Sequence, residues 1–153
     1  GLWFDGQKYF ARTLPKEYAE SETPVLREAK RWLDIYFSGR EPDFTPPLHP
    51  VGSAFQQVVW ALLLEIPYGE TTTYGTLARK LAEKQGLTHM SAQAVGGAVG
   101  HNPISILIPC HRVVGADGSL TGYAGGVEKK RFLLALEGVD MTNLYMPKRG
   151  TAL

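Results

Sequence analysis

The sequence predicts a chain of the α/β (α+β) class in two parts. A small N-terminal α/β domain is expected over residues 1–48, and a mostly helical C-terminal domain with a helix-turn-helix over 49–153. Three observations predict this. The opening residues read as strands and lead into one capped helix. A proline-rich stretch follows and has no period. After it, cap residues precede a series of helical patterns. With 153 residues, of which 44% are hydrophobic and 20% charged, the chain has the composition of an ordered globular protein and the length to bury a core.

Leu2, Trp3 and Phe4, an Asp5-Gly6 turn, then Tyr9 and Phe10 give residues 2–14 a strand-like character. Thr23 is an N-cap and Pro24 a first helical residue. Val25, Ala29, Trp32, Leu33 and Tyr36 then recur at helical spacing until Gly39. Pro42, Pro46, Pro47 and Pro50 make residues 40–52 an extended linker, where the domain boundary is placed. Ser53 with Gln56 has the capping-box pattern, followed by Phe55, Val58, Val59, Leu62 and Leu63. Pro67-Tyr68-Gly69 ends that helix. Thr73 caps the next, expected over Tyr74 to Glu83. A turn near Gln85-Gly86 leads to Ser91 and a short helix from Ala92 to Val99. Helix, turn, helix is a DNA-docking unit, but it is also common in any helical protein. The short helix is built from Ala92, Ala94, Val95, Gly96, Gly97 and Ala98. Glycine costs roughly 1 kcal/mol there relative to alanine, so either a neighbouring helix or a bulky polymer must approach closely.

Formal net charge is +1, so overall charge says nothing about nucleic acid, although the second half has a slight basic excess. The longest apolar run, Val58 to Leu64, falls far short of a membrane span. Residues 1–10 lack the design of a signal peptide, and a free thiol suits a reducing cytosol. Cys110 is the single cysteine. An intrachain disulfide and a multi-cysteine metal site are excluded.

That cysteine lies in the most informative stretch. Ile104 to Ile108 reads as an apolar strand that delivers Pro109 and then Cys110. Proline breaks the strand, which puts Cys110 near the N-terminus of a turn, where backbone amides favour a thiolate. His111 is placed to serve as base or relay, and Arg112 adds positive charge. The alternative is a small buried hydrophobe beside a structural histidine. Gly122-Tyr123-Ala124-Gly125-Gly126 is a loop suited to wall a flat ligand. A helix from Val127 to Glu137 follows, with a basic patch at Lys129, Lys130 and Arg131. Glu137 ends that helix, where the dipole disfavours a carboxylate; it is either partnered, for instance by a histidine, or solvated.

Pro109-Cys110-His111-Arg112-Val113-Val114 resembles the active-site signature of the O6-alkylguanine-DNA alkyltransferases, the methylated-DNA–protein-cysteine methyltransferases. Ala94 to Ala98 and Asn102-Pro103 are similar to that family's recognition helix and hinge. Tyr68-Gly69-Glu70 through Tyr74 resembles its first helix-turn-helix element, and Gly122-Tyr123 and Leu134 to Gly138 its substrate loop and closing helix. The likeness covers about residues 50–140. It implies a winged-helix-like C-terminal domain behind a ribonuclease-H-like N-terminal domain that lacks its first strand.

The resemblance also implies a reaction. An alkylated guanine is flipped out of double-stranded DNA bound through the minor groove, and its alkyl group passes to Cys110 in a single turnover. No cofactor and no metal are implied. His111 is the relay, Glu137 orients it, and Asn102 holds the turn. Tyr74 lies against the flipped base. Val113, Tyr123 and Ala124 bind it, and Tyr74, Gly75, Ala92, Gln93 and Ala94 contact DNA. O4-alkylthymine is a possible second substrate. A monomer in the cytoplasm or on the nucleoid is expected. Two positions depart from the pattern. Gln93 stands where many members have an arginine that fills the hole left by the flipped base, and Ala124 where some have serine. Three rivals stay in view: a non-catalytic binder of damaged DNA, a cysteine hydrolase or acyltransferase, and a helix-turn-helix regulator.

Overall fold

The computed structural model describes residues 1–148. Helix α1 spans Pro24–Phe37, with the Thr23 hydroxyl accepting from the Leu26 amide and Pro24 in the first turn, where its missing N–H costs nothing. Helix α2, Ala54–Leu63, starts on the reciprocal Ser53/Gln56 capping box. Strand β1 is only Thr72–Thr73. Thr73 caps helix α3, Tyr74–Gln85, which stops at Gly86 with φ +65°. Ser91 caps helix α4, Ala92–Gly100. A single 3-10 turn, Cys110–Arg112, leads into strand β2, Val113–Val114. Helix α5, Val127–Leu136, closes the series.

The chain is therefore mostly helical with a small two-stranded sheet. β1 and β2 pair in parallel, Thr72 with Val113 and Thr73 with Val114. That pairing brings the capped start of α3 beside the residues just after Cys110. Helices α2, α3 and α4 pack on one another, and the buried Trp60 indole donates to the Ala98 carbonyl at 2.9 Å. α4 can lie this close because its packed face is Val95, Gly96, Ala98 and Val99. The core joins Trp32 and Tyr36 of α1 to Val59, Trp60 and Leu63 of α2, Leu77 and Leu81 of α3, and Ile108, Cys110 and Leu133. None of the helices is long and apolar enough to cross a membrane, among the described residues.

Two expected strands are absent. Residues 2–14 form a run of turns with one isolated parallel bridge, Leu2 to Ile104, so the expected sheet character of residues 1–48 is not there; α1 is their main element. Tyr9 and Ala11 have φ of +63° and +52°, which no extended strand admits. Ile104 to Ile108 is likewise no strand. Ile106 sits at φ +70°, and the Ile108 amide turns back to the Ile104 carbonyl at 3.1 Å. The apolar run is apolar because all of it is buried on every side, which periodicity cannot tell from a strand.

Candidate active site

Cys110 is the first residue of the 3-10 turn and is 5% exposed. Asn102 fixes the approach to it. The Asn102 side-chain amide donates to the Ile108 carbonyl at 2.8 Å and to Cys110 Sγ at 3.1 Å, while its oxygen accepts from the Ile104 amide at 3.0 Å. The hinge between α4 and the cysteine is thus held at three points by one buried side chain.

The expected turn amides do help a thiolate, but burial outweighs them. Burial pushes the Cys110 thiol up, against the opposing pull of Asn102, Lys130 and the Cys110 and His111 amides. The resting group is a thiol, so a nucleophilic role would call for a base.

His111, the next residue in the chain, is the candidate for one. It is fully buried, and burial holds its pKa below the ordinary histidine value in spite of the adjacent carboxylate. Its Nε2 lies 2.5 Å from Glu137 Oε1. Burial acts to raise the Glu137 carboxyl, but hydrogen bonds from His111 and Arg112 outweigh it and hold the group at about 2. Glu137 is therefore ionised and can only accept. Nε2 of neutral His111 must then carry the hydrogen, which leaves Nδ1 with a free lone pair. Nδ1 is buried and has no hydrogen-bond partner among the described residues. In this tautomer it can take up a proton.

Glu137 is the hub of this arrangement. Arg112 donates to both of its oxygens, Nε to Oε2 at 2.9 Å and Nη2 to Oε1 at 3.1 Å, and also reaches the Ile66 carbonyl at 2.6 Å. The Tyr36 hydroxyl donates to Oε1 at 2.7 Å, and the Gly69 amide to Oε2 at 3.1 Å. Gly69 has φ +77°, and a Cβ there would lie 3.1 Å from the Glu137 backbone oxygen. Only glycine brings its amide to the carboxylate so closely. The unfavourable place at the end of α5 is thus compensated by five donor contacts.

Of the other expected residues, Tyr74 and Tyr123 lie near enough to Cys110 to feel its charge, and the rest sit on β2, the loop after it, α3 and α4. Tyr123 is buried, edge-on to His111 with ring centroids 6.5 Å apart, and its hydroxyl has no partner among the described residues. Phe4 packs against its other side. A Cβ at Gly125 would come within 2.8 Å of the Tyr123 ring, so the loop glycine permits the close approach. Val113 is fully buried, and Ala124 sits on the loop with its carbonyl accepting from the Lys8 amide at 3.0 Å. Tyr74 donates to the Thr121 carbonyl at 3.1 Å. Burial and the nearby Cys110 raise its pKa well above the usual range, so it stays a donor. Tyr74, Ala92, Gln93, Gly96, Gly97, Thr121 and Gly122 line a cavity of about 430 Å³. Ala92, Gln93 and Ala94 are exposed on α4, and Gly75 on α3. Gly75 and Ala92 line a second groove between α3 and the loop before α4, and Ala94 lines neither.

Lys130 does not belong to a basic patch. It is fully buried, and its ammonium donates to the Val113 and Thr121 carbonyls, each at 2.5 Å. Lys129 and Arg131 do remain on the surface. Sequence reasoning missed this role, and those of Tyr36 and Arg112. Lys130 stands between two exposed cations and has no distinguishing signal. Tyr36 is 101 residues from the carboxylate it contacts. Arg112 had a signal in its place beside His111.

The model of the 6-O-methylguanine DNA methyltransferase DNA-binding domain matches residues 54–139. A methylated-DNA–protein-cysteine methyltransferase of Haemophilus influenzae is 48% identical over 126 residues, covering 82% of this chain and 68% of that protein. One of Methanosarcina acetivorans is 48% identical over 125 residues, covering 82% and 76%. Among solved structures, Mycobacterium tuberculosis OGT in complex with DNA superposes with a TM-score of 0.66 and 49% identity, covering 73% of this chain and 66% of that one. The chain thus spans about two thirds of the length of that structure.

Proposed function

The chain belongs to the methylated-DNA–protein-cysteine methyltransferase family, DNA-repair proteins that move an alkyl group from DNA to a cysteine of their own, and we propose that Cys110 is the acceptor here. The observation that carries this reading is the buried Cys110 directly before a buried His111–Glu137 pair, whose His111 Nδ1 has no hydrogen-bond partner among the described residues. The thiol proton passes through a water to Nδ1. Sulfur attacks the alkyl carbon of O6-alkylguanine, the S–C bond forms, and the C–O6 bond breaks. The electron pair stays on guanine, which takes up a proton from water, and the imidazolium of His111 releases the thiol's proton to water in return. A thioether has no hydrolytic exit, so each molecule reacts once.

The remaining roles follow from position. Asn102 sets the direction of Sγ. The Tyr74 hydroxyl, which donates to the Thr121 carbonyl in this structure, turns its hydrogen to the flipped base. Tyr123 forms a wall, and the backbones of Val113 and Ala124 face the base edge. α3 and α4 form the helix-turn-helix of a winged-helix-like domain over 49–153. The exposed Gly75, Ala92, Gln93 and Ala94 meet the minor groove of double-stranded DNA, where small side chains allow close approach. Residues 1–48, with α1 as their main element, are the counterpart of part of the family's ribonuclease-H-like N-terminal domain. One chain supplies every group, so the protein acts as a monomer, in the cytoplasm or on the nucleoid where its substrate is.

Intact mass after incubation with a duplex containing O6-methylguanine tests the reading. One methyl is expected on Cys110 and none in Cys110→Ser. Repeated turnover, or no gain in the unaltered protein, overturns it.

Tyr36→Phe removes one neutral donor from Glu137 and leaves the other contacts. Because the acceptor is ionised, a loss of about 1.5–3 kcal/mol in stability is expected in a denaturant titration. The transfer rate is expected to fall less than tenfold, because Arg112 and His111 still hold the carboxylate.

A further inference from the structure

The N-terminal segment lies outside the matched family domain, yet it reaches both the end of α4 and the substrate loop. Leu2 bridges to Ile104, and the Lys8 amide bonds to the Ala124 carbonyl. Tyr9 stacks on His101, the C-cap of α4, with ring centroids 4.1 Å apart and planes 22° from parallel. His101 is tied to its own helix by Nδ1, 2.7 Å from the Gly97 carbonyl. Two cations gather on the same tyrosine: Lys8 Nζ lies 5.2 Å and the Arg12 guanidinium carbon 5.6 Å from its ring centre. Both are exposed. The positive φ at Tyr9 and Ala11 winds the segment into the turns that bring Lys8 and Arg12 to one ring.

Gln93, Gly97 and His101 are four residues apart, so they lie in one row along α4. Gln93 and Gly97 are exposed and line the cavity beside Tyr74. The Lys8–Tyr9–Arg12 group therefore extends this row past the helix end. The net charge is only +1, and Lys130 is buried, so cations that can meet a polyanion must be placed locally.

We propose that Lys8 and Arg12, held on the Tyr9–His101 stack, contact the phosphate backbone of DNA bound along α4, adding affinity without sequence choice. This rests on the reading of α4 as the DNA-facing helix. Each neutralised phosphate adds about 0.9 to the slope of log affinity against log salt.

Binding of an unmodified duplex is measured between 50 and 200 mM salt for the unaltered protein, for Lys8→Gln, for Arg12→Gln, and for the double variant. Each single change is expected to make the slope shallower by about 0.9 and the double change by about 1.8. Transfer from free O6-methylguanine base, which needs no phosphate contact, should stay unchanged. Slopes equal to that of the unaltered protein overturn the proposal. Absence of any salt-dependent binding by the unaltered protein overturns the DNA reading beneath it.

Discussion

Glu137→Gln is expected to slow methyl transfer about a hundredfold while leaving duplex affinity nearly unchanged. The amide is close in shape and still accepts from His111 Nε2, but it carries no charge to balance an imidazolium as Nδ1 takes the proton. General-base assistance contributes roughly 10²–10⁴ in rate, and the lower end applies where the base itself remains. Stability falls too. Arg112 loses the charged partner that it grips through two donors, and breaking a buried pair costs about 3–5 kcal/mol. The carboxyl is held at about 2 in the fold against an ordinary 4.5. Its stabilisation is therefore fully present above pH 4.5 and is lost as pH falls toward 2. A shift of that size corresponds to about 3 kcal/mol. Chemical denaturation across that window should show this acid-side loss in the unaltered protein and a weaker one in the variant. Single-turnover kinetics read the rate, and an unchanged rate would remove Glu137 from the relay.

Lys130→Met is expected to have an effect nearly as large, through another route. The substitution keeps the length of the side chain but removes the donor shared by the Val113 and Thr121 carbonyls. Leaving buried acceptors unpaired costs about 1–3 kcal/mol each, so a loss of 2–4 kcal/mol is expected on thermal or denaturant unfolding. Those carbonyls fix β2 and the start of the loop that carries Tyr123, so transfer should fall more than tenfold. The thiol also loses a nearby cation that pulls its pKa down. Burial lowers Lys130 itself to about 8, against 10.5 when exposed, with Cys110 acting in the opposite direction. Between those values the unfolded chain binds more protons than the fold. The contribution of this group to stability therefore rises with pH from about 8 to 10.5 and should vanish in the variant.

Much of this is legible in the sequence. The helix starts are, because Thr23, Ser53, Thr73 and Ser91 cap through local hydrogen bonds, and each of those side chains accepts from a backbone amide three residues on. Cys110, His111 and Asn102 lie within a few residues of one another, so their meeting follows from chain continuity. Glu137 stands out because its place at a helix end asks for a partner. What stayed hidden is long-range. No local pattern tells that Tyr36 crosses to the end of α5, or that Lys130, and not Lys129, turns inward. The apolar run before Cys110 misled because complete burial erases the alternation by which a strand is recognised, and Ile106 adopts a left-handed conformation that β-branched residues rarely take. The N-terminal turns misled because aromatic residues favour strands only when a neighbouring strand exists to pair with.

One carboxylate joins the first helix and the last. Tyr36 of α1 and the C-cap of α5 meet at Glu137, together with Gly69 from the loop after α2. Fraying at the end of α5 cannot stay local, since it strips α1 of its buried anchor and exposes a charge pair at the same moment. Helices α1 and α5 therefore open as one cooperative unit, with a common free energy of opening. A protein that reacts once and is then spent has its chemistry and the closure of its architecture in the same few atoms.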